Sequence, residues 1–382
     1  MRIKQESLKS DLFNLRGSRT LGGNVKKRHD IRAAKALLVL AAVFNMGLQT
    51  SAALKIETVF GPETKTGPYK HPTTITELSN GDFLLAYYGG GGEYEKETAV
   101  FSSRLKAGSS TWSKPVVLAR NPVYSMGNPV LWQAPDSKVW LFYVVRPGAT
   151  WSTSRIAAKI SEDGGKSWSD SFMVTFEEGT MVRSRPVLLS DGHYLLPIYH
   201  ETGADTEKTG ADTSSLFLRF DPRAAQWTQS NKVFSRMGNL QAAVVEIQAG
   251  HLLALCRRGG DYEPGNDGFV VQTESKDGGK TWSPGIETRF PNPNSSVELI
   301  KLRGGNLLFI YNHSMHERTP LRAVVSRDAG KTWSSGIDIA SGTGSFSYPT
   351  AIQTRDGVIH ITFTSDERTK IRHAILEESD LR

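Results

Sequence analysis

One cysteine, Cys256, is all that 382 residues carry, so no intramolecular disulfide can form and the fold does not depend on an oxidising compartment. No His/Cys/Asp cluster has tight metal-ligand spacing, so the sequence calls for neither a metal nor another cofactor. Long apolar runs are also missing. The longest, around ALLVLAAVF, extends about 13 residues, short of the roughly 20 that span a bilayer. A basic body is missing too, despite a formal charge of +7. Residues 1–53 hold ten Lys/Arg against three acids, leaving 36 of each sign in the remainder. The body therefore has no electrostatic footprint for nucleic acid.

The charged segment has its own logic. KKRHDIRAAK precedes the apolar run, and small residues follow near Ser51–Ala53. That is the order of a secretory signal, so residues 1–53 are expected to direct export to the periplasm or beyond and be removed. No stable membrane insertion is expected after cleavage.

What the chain does contain is repetition. SEDGGKSW from Ser161 returns as SKDGGKTW from Ser275 and SRDAGKTW from Ser326. With Trp112 and Trp227, the Trp residues Trp168, Trp282 and Trp333 form a series spaced by 51 to 59 residues. A second series is independent of the first. Hairpins such as NGDFLLAYY, DSKVWLFYVV and DGHYLLPIY recur six times, at spacings of 52 to 58. Six turn-and-strand units in residues 54–382, each about 55 residues long, predict an all-β, six-bladed β-propeller.

In such a disc the first strand of each blade lines the axis. Counting back from each hairpin turn gives His71, Asn128, Arg185, Gln241, Asn294 and Tyr348. Six polar groups at one phase predict a single axial pocket, the default place for a ligand. The loop GADTEKTGADTSS, residues 203–215, reads instead as a solvated insertion.

S-x-D-x-G-x-x-W resembles the Asp box, or BNR repeat, of the sialidase superfamily, and the likeness covers roughly residues 60–375. The resemblance implies a Tyr nucleophile with a Glu base, an Asp acid/base and three carboxylate-binding Arg. Tyr348 in YPTAIQTRDG is similar to the nucleophile segment, while Arg257 in LALCRR and Arg318 in HERTPLR match two of the arginines. Other positions depart from the pattern. YKHP puts Lys70 and His71 where the first Arg belongs, and Gln241 stands at the Glu position, sixteen before Arg257. The acid/base loop reads GGGGEYEKE, offering Glu93 and no Asp. Together these features resemble a separate sialidase-like branch from secreted polysaccharide-degrading systems.

The implied catalytic set is Tyr348, His71, Glu93 and Gln241. The implied substrate-binding set is Arg257, Arg318, Arg185, Lys70, Asn128 and Asn294. The implied activity is that of an exported exo-α-sialidase-like glycoside hydrolase acting on a glycan with a carboxylated sugar. A same-fold hydrolase or lyase for uronic acids, and a non-catalytic carbohydrate-binding propeller, both remain open.

Overall fold

A computed structural model describes residues 54–204, 208–261 and 265–381. The expected signal, 1–53, lies outside the described residues. Six antiparallel sheets follow one another along the chain, with only two short 3-10 turns among the described residues. We number them blades I to VI. Their first strands are Tyr69–Glu77, Ser125–Gln133, Thr180–Val182 continued by Val187–Leu188, Asn239–Gln248, Glu298–Lys301 and Phe346–Gln353. Consecutive first strands pack on each other, and that of blade VI packs on that of blade I, which closes a six-bladed β-propeller. The outermost strand of blade VI comes from the other end of the chain: Lys55–Phe60 pairs with Lys370–Leu376.

The second strands explain the apolar hairpin segments. Phe83–Gly90, Val139–Arg146, Tyr194–His200, His251–Arg258, Leu307–Asn312 and Ile359–Ser365 are sandwiched between neighbouring blades, so both their faces are covered. A strand buried on both sides reads as a continuous apolar run rather than an alternation. Six hydrophobic clusters fill the six gaps. Phe142 with Leu196, for example, joins blades II and III, and Tyr87 with Ile371 joins blades I and VI.

The repeated turns close on themselves. In the first, Asp163 accepts from the Ser161 hydroxyl at 2.8 Å, the Lys166 amide at 2.9 Å and the Ser167 hydroxyl at 2.6 Å. Asp277 and Asp328 repeat the bonds to the flanking hydroxyls in blades IV and V. Trp282 and Trp333 each donate an indole N–H to the box glycine carbonyl, at 3.2 and 3.1 Å. These turns are scaffold.

Candidate active site

The axial strands break their regular pairing at one level. Register shifts fall between His71 and Thr73, Gly127 and Val130, Leu240 and Ala243, and Ser347 and Thr350. At that level Asn128, Gln241, Asn294 and Tyr348 adopt φ of 42°, 53°, 56° and 57°. A bulge re-aims side chains, and left-handed backbone costs a non-glycine residue about 1–3 kcal/mol. Four such residues in phase mark the place where the fold gives up regularity to build a pocket.

His71, Asn128, Gln241, Arg257 and Tyr348 line that pocket together, with Glu93 at its wall. Tyr348 is buried at its centre. Arg257 donates to the Tyr348 hydroxyl at 2.7 Å, to Asn294 Oδ1 at 2.6 Å and to Gln241 Oε1 at 3.2 Å. The guanidinium carbons of Arg183, Arg257 and Arg318 stand 5.5, 5.8 and 5.5 Å from the Tyr348 ring centre. Arg318 also donates to the Asn294 carbonyl at 3.1 Å. Burial alone would raise the Tyr348 phenol. The positive charge of Arg257, Arg318 and Arg368 outweighs it and brings the phenol below its usual value.

His71 packs edge-on to Tyr348, ring centres 4.1 Å apart. Its Nδ1 lies 2.8 Å from Thr364 Oγ1, and Thr364 spends its one hydroxyl proton on the Ser347 carbonyl. Nδ1 must therefore be the donor, which leaves Nε2 with its lone pair. Burial first, then Arg368, Arg318, Arg183 and Arg257, hold His71 far below the normal histidine range. It is neutral at physiological pH and can accept a proton.

Two expected members are placed differently, and a third is in place but committed. Arg185 lies outside the Tyr348 pocket and lines a separate cavity with Glu298. The nine-residue count that links Asn128, Gln241 and Tyr348 to their turns leads in blade III to Arg183. Arg183 donates to the Tyr348 and Pro349 carbonyls at 2.9 and 3.0 Å. Arg185 is seven residues before Gly192 rather than nine, and it falls where the first strand of blade III is interrupted, at residues 183–186. Lys70 also stays out. It is fully buried with Nζ on the Gly67 carbonyl at 2.6 Å, because neighbours on a strand face opposite sides and His71 takes the inward one. Gln241 lies in the pocket but its amide is committed. Oε1 accepts from Arg257 and Nε2 donates to Tyr199 at 3.3 Å, so it holds others in place. Asn128 donates to the same Tyr199 oxygen at 3.1 Å.

Sequence reasoning missed a second ring. Glu93, Arg146, Glu201, Arg257, Arg318 and Arg368 stand at or just beyond the ends of the six second strands. One charged residue per blade, 50 to 61 residues apart, is the signal that would have found Glu201 and Arg368. Arg368 binds Glu93 in an ion pair and donates to Tyr69 at 3.3 Å. Glu201 lines the pocket and has no such ion pair. Burial, set against the charge of Arg257, pushes its carboxyl up to about 7. Thr209, from the loop expected to be a solvated insertion, also reaches the pocket wall, tethered to the Gly260 amide at 2.8 Å.

The pocket is tight, with about 30 Å³ of free volume. Larger cavities open elsewhere, but the reacting groups converge here. Among the described residues no group of three His, Cys, Asp or Glu could hold a metal ion. No described helix is long and apolar enough to cross a membrane.

Comparison with known proteins accords with this geometry. The profile of the BNR repeat-like domain matches residues 81–361. The Hadza microbial sialidase Hz136 is similar in structure, with a TM-score of 0.72 at 15% identity over 86% of this chain and 69% of that one. A protein of unknown function from Dyadobacter fermentans gives 0.70 at 18% identity, over 87% of this chain and 100% of the other. A leech intramolecular trans-sialidase gives 0.68 at 14%, over 86% and 71%. At such identities the likeness is one of fold. No curated protein matches the sequence.

Proposed function

The chain belongs to the BNR repeat-like domain family, and on that premise we propose that the Tyr348 pocket is the active site of an exported glycoside hydrolase of the exo-sialidase kind. Its substrate is a glycan ending in a carboxylated sugar. The observation that carries this reading is Tyr348 bonded to Arg257 within a cluster of arginines. Around Arg183, Arg257, Arg318 and Arg368 the carboxyl groups are fewer: Glu93, paired with Arg368, Glu201, pushed up to about 7 by burial, and Glu298, which acts on Arg183. That excess of positive charge suits an anionic ring, and the guanidinium fork of Arg257 or Arg318 suits its carboxylate.

Each side chain then has a role. His71 Nε2 takes the Tyr348 proton as the phenolate oxygen bonds to the anomeric carbon. The glycosidic C–O bond breaks, and Glu201 gives its proton to the leaving oxygen. Water then attacks the glycosyl–tyrosine bond, Glu201 accepts the water's proton, and His71 returns the first proton to Tyr348. Glu93 is engaged by Arg368, so Glu201 is the better proton donor. Sugar-sized sites need roughly 300 Å³ or more, so Trp151 and Thr209 at the pocket wall must retract on entry.

One observation favours a second reading. With Gln241 at the base position, His71 and Tyr348 form an acid–base pair that would also suit β-elimination from a uronic acid, with an arginine on the carboxylate. The test is to incubate the purified chain with a sialoside and a glucuronide panel and weigh the products. A water-added product supports the hydrolase, and an unsaturated uronate supports the lyase. Binding without turnover of any substrate defeats both and leaves a lectin.

A further inference from the structure

Beyond the level of Tyr348, where the first strands run toward their hairpin turns, two cavities of about 320 and 450 Å³ adjoin. Both are lined by Trp132, Arg185 and Leu188, and both fall within the size range of small-molecule sites. Nothing in the proposed chemistry uses them.

Their charges balance. Arg185, Lys301 and Arg355 stand against Glu77, Glu246 and Glu298. Most of these groups are already committed. Arg355 pairs with Glu77 at 2.9 Å, Lys301 donates to the Glu246 carbonyl at 2.9 Å, and the Glu246 carboxylate accepts from Ser190 and Gly250. The exceptions cluster around one cavity. Glu298 is 2% exposed and Ser184 is 4% exposed, and the Ser184 hydroxyl has no hydrogen-bond partner. Arg185 and Glu298 share that cavity and interact only through their charges. A buried hydroxyl without a partner is costly and rare, and beside Ser184 the partly exposed Arg185 and the Glu298 carboxyl make no hydrogen bond among the described residues, so the cavity offers a ligand a donor, an acceptor and a hydroxyl. Trp132 supplies the other half of such a site. Its indole is partly exposed and is held edge-to-face by Tyr194 at 4.8 Å. A rigid aromatic wall beside fixed polar groups matches a pyranose, which has apolar C–H faces and a rim of hydroxyls.

We propose that this cavity pair is a second saccharide-binding site, distinct from the Tyr348 pocket, which takes a neutral sugar unit against Trp132 with Arg185, Glu298 and Ser184 on its hydroxyls. Three carboxyl groups beside its three cations set it apart from the arginine-rich pocket and disfavour an acidic ring. Burial pushes the Glu298 carboxyl up to about 7, so at neutral pH it can both donate and accept.

Calorimetry on the full chain carrying Tyr348→Phe, which blocks turnover, tests the assignment with cellotetraose, xylotetraose and galactotetraose as neutral probes. At least one should bind, and Arg185→Gln or Trp132→Ala should weaken it by roughly tenfold or more, the loss of one good polar or stacking contact. Binding of 3′-sialyllactose should be unchanged by Arg185→Gln. Because Trp132 also packs on the core, Arg185→Gln decides alone if Trp132→Ala fails to fold. The proposal is overturned if no neutral probe binds at millimolar concentration, if binding survives Arg185→Gln, or if it is lost with Arg257→Ala instead.

Discussion

The Asp-box turns and the axial pocket both combine polar side chains with left-handed backbone, carried by Gly or Ala in the boxes and by the polar residues themselves in the pocket, and they end in opposite electrostatic states. In a box every partner lies within four residues, and the carboxylate takes all the bonds it can hold. Asp277 is held at about 2 by Thr281, Ser275 and backbone amides, against the small burial that would raise it. In the pocket the partners come from distant blades, 91 residues apart for Arg257 and Tyr348 and 293 for His71 and Thr364. There Glu201 sits near 7, His71 is kept neutral and Tyr348 is brought down. Locally saturated polar groups stabilise a turn and become inert. Groups assembled from far apart and left short of partners take shifted titrations, and that of Glu201 falls near the working pH, where proton transfer needs it.

The sharpest way to break this comparison is to remove one oxygen from the pocket. Tyr348→Phe should lower turnover by orders of magnitude while substrate binding and melting temperature stay close to wild type. The Tyr348 hydroxyl accepts from Arg257, and Arg257 keeps Asn294 and Gln241 when that hydroxyl is removed. Steady-state kinetics beside a thermal melt decide it; full activity in the phenylalanine variant would remove Tyr348 from the mechanism. Arg257→Lys is next in size. A lysine keeps the charge and loses the fork, so affinity for an acidic sugar should fall by roughly 1–3 kcal/mol. Calorimetry showing wild-type affinity would refute the fork.

Stability against pH separates the two regions by sign. Asp277 and Asp328 have folded values of about 2 against 3.8 when free, so their contribution is present above 3.8 and fades as pH falls through 2. Both are exposed, so the effect is screened and small. Glu201 and Glu298 have folded values of about 7 against 4.5, so their contribution is complete below 4.5 and fades as pH rises through 7. The melting temperature should therefore decline from pH 5 to pH 8, and the Glu201→Gln, Glu298→Gln double variant should flatten that decline. A wild-type curve rising across the interval would contradict the burial argument.

Which parts of this were legible in the sequence follows the same division. The boxes and hairpins are local, so their bonds recur as recurring letters, and the period near 55 specified six blades. Asn128, Gln241 and Tyr348 were reachable because their first strands keep a nine-residue phase with their turns, while Asn294 stands eleven before its turn and ahead of its strand. Arg185 was misplaced because it stands seven residues before its turn, whereas the nine that give Asn128, Gln241 and Tyr348 give Arg183 in blade III. Lys70 failed on strand alternation, which the sequence did offer. Glu201 and Arg368 lie on loops whose lengths vary between blades, so only the strand ends reveal their phase. Gln241 and Arg257 sit on adjacent strands of blade IV, but that the Gln241 amide is committed to Arg257 and Tyr199 depends on side-chain geometry, which no spacing encodes.

The smallest effect lies within the boxes. The first residue after the box aspartate is Gly164 with φ of 70° in one copy and Gly278 with φ of 74° in another. In the third copy it is Ala329, at 58°. A Cβ built on Gly164 meets nothing within 4 Å, and on Gly278 only contacts of 3.8 Å or more, so space does not distinguish the residues. Backbone conformation does. Left-handed geometry costs an alanine about 1–2 kcal/mol, and glycine returns about 0.5–1 kcal/mol of that as extra entropy in the unfolded chain. Ala329→Gly should thus stabilise by about 0.5 kcal/mol, a rise of about 0.7 °C in a chain of this size, with kinetics unchanged because the turn lies away from the Tyr348 pocket. Gly278→Ala should move the melt by a similar amount in the other direction. A lower melting temperature for Ala329→Gly would mean that the methyl group makes packing contacts worth more than its strain.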